Sequence, residues 1–124
     1  NAERIAKVLE RYEAIHVPGE APGTVDARYR LYGFVDAEKL KAGWSRDRII
    51  ADINALGIPC FQGSCSEVYL EKAFDGTGWR PAVRLPTARR LGETSLCFLV
   101  HPTLTDDDIA RTCQAIETVL AQAC

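Results

Sequence analysis

The chain has 124 residues, 47% hydrophobic and 26% charged, with four Phe, four Tyr and two Trp. Those proportions exclude disorder and fit one globular domain able to remove about two-thirds of its unfolded surface from water. With 15 Lys+Arg against 17 Asp+Glu the net charge is −2, which argues against a nucleic-acid surface, and no apolar run approaches the ~20 residues of a membrane span. Five cysteines, Cys60, Cys65, Cys97, Cys113 and Cys124, fall at irregular spacings without a C-x-x-C pair. Reduced thiols in a cytoplasmic setting are expected. The sequence has no Met, so residues 1–2 are expected to be a tag remnant and the chain an excised piece of something longer.

In chain order, Ile5, Val8, Leu9 and Tyr12 recur at helical spacing and predict a helix over 2–15. Pro18, Gly19, Pro22 and Gly23 predict a loop and a hinge. Residues 28–35 alternate as a strand with two partly apolar faces. Ser45 is a helix cap with Asp47 in the first turn, Ile49, Ile50, Ile53 and Leu56 form the buried stripe, and Gly57 ends the helix. Residues 58–62 predict a short strand and 70–74 a short helix. Pro86 opens another helix that Gly92 closes. Residues 95–100, SLCFLV, predict a strand buried on both faces. Thr105 and Asp108 form a capping box, followed by the stripe Ile109, Cys113, Ile116, Leu120. The order gives an α+β or α/β domain with about three strands and helices packed on one side.

Three chemistries are open to these residues. A metal would have to use His16, His101, Cys60 and Cys65, whose spacing is wider than tight sites favour. A nucleophilic Cys65 would need a base, and His101 is the available one. An anion could sit on the free amides of the Gly63–Ser66 stretch ahead of a helix over 67–74, with Arg80, Arg84, Arg89 and Arg90 following. On that last reading the chain is a stand-alone α+β ligand-binding module. The bland alternative is that Ser66 caps a helix and the arginines are solvated.

An ordered series of segments resembles a known family. It comprises the leading helix, YRLYGFV from Tyr29, WSRDRII from Trp44, and Gly57-Ile58-Pro59. GSCSEVYLEKAF from Gly63, RLPTA from Arg84 and SLCFLVHPTLT from Ser95 complete it. Together these resemble the small C-terminal domain of the DegT/DnrJ/EryC1/StrS aminotransferases, fold-type I pyridoxal-phosphate enzymes that aminate keto nucleotide-sugars, which implies an α+β two-layer fold with a small, mainly antiparallel sheet of about three strands and helices on one face. The GSCSE run resembles a subgroup acting in surface polysaccharide (LPS/O-antigen) biosynthesis.

The resemblance implies that residues 3–24 are a leading helix and linker from a large domain, and residues 25–124 the small domain. The cofactor, its Schiff-base lysine and its phosphate ligands would then belong to the missing large domain. None of Lys7, Lys39, Lys41 and Lys72 takes that role, so the fragment alone is expected to be inactive and without bound cofactor. The implied substrate-binding residues are Ser64, Cys65, Ser66, Glu67 and Tyr69, with Tyr29 and Arg84. Cys65 stands where many relatives carry His and offers weaker hydrogen bonding. The full-length enzyme is expected to be a homodimer that takes a nucleotide-sugar and an amino donor, commonly glutamate. The fragment is expected to self-associate through the face the large domain would cover.

Overall fold

A computed structural model describes all of residues 1–124. The elements are α1 (Ala2–Leu9), β1 (Ile15–His16), β2 (Arg30–Val35), α2 (Arg46–Ala55), β3 (Cys60–Phe61), α3 (Pro86–Thr94), β4 (Ser95–Leu99) and α4 (Asp106–Ala123). The strands form one antiparallel sheet in the order β1-β2-β4-β3. The α+β architecture is the expected one, with four strands rather than three. No helix is long and apolar enough to cross a membrane.

The ladder assigns the two faces. Leu31 lies opposite Phe98 and Gly33 opposite Leu96, and paired residues share a face. That face is the core, closed by α1, α2 and α4 and filled by Ile5, Leu9, Ile49, Ile53, Ile109 and Ile116. Gly33 is a close-approach position. A Cβ there would lie 3.3 Å from Ile15 Cγ2 and 3.6 Å from Leu9 Cδ1. The other face carries Tyr32 opposite Cys97 and Phe34 opposite Ser95, and α3 crosses part of it.

Several boundaries differ from the sequence expectation. The first helix stops at Leu9, because Ile15 pairs with Val35 as an edge strand. α1 and β1 supply Ile5, Leu9 and Ile15 to the same core as the rest of the chain. Leu56 is half exposed at 49% instead of buried, because the chain turns out of α2 at Gly57 with φ +77. Gly92 lies inside α3 rather than ending it, and a Cβ on it would come 2.1 Å from Ser66 Oγ. The expected helix over 70–74 is a pair of 3₁₀ turns, Val68–Leu70 and Lys72–Phe74.

The caps follow the sequence. Ser45 Oγ accepts from the Arg48 N–H, and Thr105 with Asp108 forms the reciprocal box. Two side chains fasten the sheet's far edge. The Asn54 amide donates to Cys60 O at 2.9 Å while its Oδ1 accepts the Cys60 N–H at 3.0 Å, so it occupies β3's free edge as a further strand would. Arg46 Nη1 donates to Gly92 O at 2.9 Å and to Ser95 O at 3.0 Å, tying the start of α2 to the α3–β4 junction.

Phe98 is fully buried at the centre of the core. Phe98→Ala is expected to cost about 3–5 kcal/mol, read from the urea midpoint at constant m. A loss under ~1 kcal/mol would contradict this packing.

Candidate functional site

The sequence-predicted residues fall on the segment between β3 and α3. Gly63 turns it with φ +92 and lies under Tyr32, whose Cε1 would be 2.5 Å from a Cβ at that position. This close approach brings the Tyr32 hydroxyl to 3.0 Å from Ser64 Oγ. Ser64, Cys65, Ser66 and Glu67 line an open hollow of about 430 Å³, with Glu71, Arg89 and Glu93 on its other side. Cys65 is exposed and its Sγ donates to Glu71 Oε1 at 3.4 Å.

Glu67, Tyr69 and Arg84 come together, chiefly to satisfy one another. Arg84 clamps the Glu67 carboxylate with two N–H groups, Nε at 2.9 Å and Nη2 on the other oxygen. The Tyr69 hydroxyl donates to Glu67 Oε1 at 2.6 Å and accepts the Leu85 N–H at 2.8 Å. Such bidentate, charge-assisted bonds are the strong ones. The Arg84 guanidinium, then the Tyr69 hydroxyl, hold the Glu67 carboxyl down from its ordinary 4.5 to about 2. Partial burial and the bond it gives Glu67 push Tyr69 up. Tyr69 and Arg84 do not line the hollow; they fix the residue that does.

Tyr29 is placed apart from this group. It is 84% exposed, just before β2, and follows Arg28, which holds a left-handed backbone at φ 50. The Arg30 guanidinium lies 5.5 Å from the ring centres of both Tyr29 and Phe61, a cation–π arrangement. Sequence reasoning missed Tyr32 and Glu71 as neighbours of the site loop. The signal for Tyr32 was present, since alternation along β2 places it opposite the core-facing Leu31 and Gly33.

The other chemistries lose their geometry. The anion reading needs a helix after Ser66, and only short 3₁₀ turns follow. Its hollow presents three carboxylates, Glu67, Glu71 and Glu93, against Arg89, and Arg80 and Arg84 are engaged elsewhere. His101 shares a 2.7 Å bond with Thr103, while the Cys65 thiol donates to Glu71, so the expected Cys65–His101 pair does not form. No group of three or more His, Cys, Asp or Glu is placed to hold a metal ion. Cys60 is buried, and burial pushes its thiol up to about 12. The largest hollow, about 700 Å³, lies elsewhere, between β2 and α3 beside His16, Phe34, Arg90 and Leu91.

No family profile and no curated protein matches this chain. Solved structures do. An aminotransferase from Psychrobacter cryohalolentis superposes with a TM-score of 0.91 at 54% identity, over 97% of this chain and 32% of that one. The structures that share this chain's fold include a DegT/DnrJ/EryC1/StrS-type aminotransferase, and the chain corresponds to one part of each. It spans about a third of the length of the structures it matches. The same fold recurs at 21% identity in Streptomyces venezuelae DesV, solved with a ketimine intermediate (TM-score 0.77, 96% of this chain, 30% of that one). It recurs again in a DegT DnrJ EryC1 StrS aminotransferase from Brucella abortus (21% identity, TM-score 0.65, 94% and 30%).

The Glu67 clamp has a pH signature. A carboxyl held below its unfolded value contributes stability that is complete above about 4.5 and is lost as pH falls toward about 2. The Glu67 carboxyl carbon shift is expected to titrate near pH 2, and Arg84→Ala is expected to move that midpoint up toward the ordinary value. A wild-type midpoint near 4.5 would mean that the clamp does not form.

Proposed function

We propose that this chain is the small C-terminal domain of a pyridoxal-phosphate-dependent aminotransferase. The enzyme transfers an amino group from a donor, commonly glutamate, to a keto nucleotide-sugar in surface polysaccharide (LPS/O-antigen) biosynthesis. The observation that carries the reading is the 54% identity to the Psychrobacter aminotransferase across 97% of the chain. Ser64, Cys65, Ser66 and Glu67 form this domain's wall of the substrate cleft, with Tyr69 and Arg84 behind it.

The residues present do not fit the cofactor by themselves. Lys7, Lys39, Lys41 and Lys72 are all exposed, and none lines the hollow beside Ser64–Glu67. The Schiff-base lysine and the phosphate ligands belong to the portion of the enzyme outside this chain, and the chain alone is inactive.

The enzyme works in the cytoplasm as a homodimer. Support for a covered face comes from the side chains this chain leaves bare. Trp79 and Val83 are more than three-quarters exposed, and Val68, Leu70 and Leu85 are each about half exposed. Apolar groups gathered on one segment in this way mark a contact surface. The isolated chain self-associates through it.

The test is expression of the longer coding region with pyridoxal phosphate. The product is expected to be yellow and to consume a keto nucleotide-sugar in the presence of glutamate, while this chain alone does neither. A colourless longer product without transaminase activity toward any keto nucleotide-sugar would overturn the reading.

A further inference from the structure

None of residues 61–94 is buried. A stretch of that length without core contacts belongs to the low-stability end of a protein, yet it carries the proposed cleft wall. Its shape has to come from hydrogen bonds, and one side chain makes a disproportionate share of them. Arg80 Nε donates to Tyr69 O at 2.9 Å, and its Nη2 donates to Leu70 O at 2.9 Å and Glu71 O at 3.1 Å. The same nitrogen pairs with Asp75 Oδ1 at 2.7 Å.

These three successive carbonyls sit where the first 3₁₀ turn passes into the second. The two outer ones belong to residues that act on the wall. The Glu71 carboxylate accepts from the Cys65 thiol, and the Tyr69 hydroxyl holds Glu67. A planar guanidinium with donors in a fixed fork suits several acceptors at fixed spacing, and an ammonium does not. Trp79, its neighbour, is 78% exposed, so burial of the adjacent side chain does not share the task.

We propose that Arg80 is the positioning residue of the site wall, acting through the backbone of Tyr69–Glu71 in place of a hydrophobic anchor. The importance of the wall rests on the proposed aminotransferase function. The test needs neither cofactor nor substrate, so it can fail while that function stands, and an inactive longer enzyme would leave its result untouched.

The experiment is amide hydrogen exchange on this chain, diluted until sedimentation shows a monomer, for wild type, Arg80→Ala, Arg80→Lys and Asp75→Asn. It is read at Leu70, Glu71, Phe74 and Asp75, whose N–H groups close the two turns. Both Arg80 variants are expected to speed exchange there by about tenfold or more, with β4 and α4 amides unchanged. Asp75→Asn, which keeps the carbonyl bonds, is expected to change it by less than about threefold. Alkylation of Cys65 by iodoacetamide is expected to rise severalfold in both Arg80 variants, because Glu71 is no longer held beside it. The proposal is overturned if Arg80→Ala leaves the four amides unchanged, or if exchange rises equally in β4 and α4. Full rescue by Lys would also overturn it, by reducing the contact to a surface ion pair.

Discussion

Both faces of the molecule are placed by the ladder between β2 and β4, which runs from Arg30 opposite Leu99 to Phe34 opposite Ser95. Because the side-chain period of a strand is two, that single register sends Leu31, Gly33, Leu96 and Phe98 to one side, and Tyr32, Phe34, Ser95 and Cys97 to the other. The first set is the floor on which α1, α2 and α4 pack. The second set receives the Tyr32–Ser64 contact and the Ser95 bond to Gln62 O. A slip of one residue would exchange the two faces and take the site loop with them.

The two sides are stabilised by different physics. The helical side rests on burial, and removing one fully buried aromatic there costs several kcal/mol. The loop side rests on hydrogen bonds at or near the surface, each worth about 0.5–1.5 kcal/mol net, or somewhat more with a charged partner. Glu67, Tyr69, Arg80 and Arg84 therefore give the loop a defined shape without a deep energy well. A loop built this way has a defined shape and still yields locally, while the core behind it stays fixed.

The sequence carried the helical side well. Helical spacing, the Thr105–Asp108 box and the Ser45 cap each reflect interactions within a few residues, and those local rules survive in the structure. What it missed depends on residues distant in the chain. Ile15 becomes a strand only because Val35 lies beside it, and Gly92 is a helix residue because Ser66 presses against it. The site was half legible. The run from Ser64 to Glu67 does line a hollow, but Arg80 and Arg84, two of the four arginines that suggested an anion site, bind backbone and carboxylate instead. Spacing alone does not reveal whether an arginine turns inward. Tyr29 does not line that hollow, and it follows Arg28, whose backbone is left-handed.

On the proposed aminotransferase reading, the bare apolar side chains of Val68, Trp79 and Val83 and the need for a Schiff-base lysine both call for a further portion of the same enzyme. The account therefore predicts a partner in the same polypeptide. The direct measurement is the size of the native gene product in its source cells, detected with an antibody raised against this chain. The account predicts a band about three times the size of this chain, as its 32% coverage of the Psychrobacter protein implies. A band at the size of these 124 residues alone would contradict it.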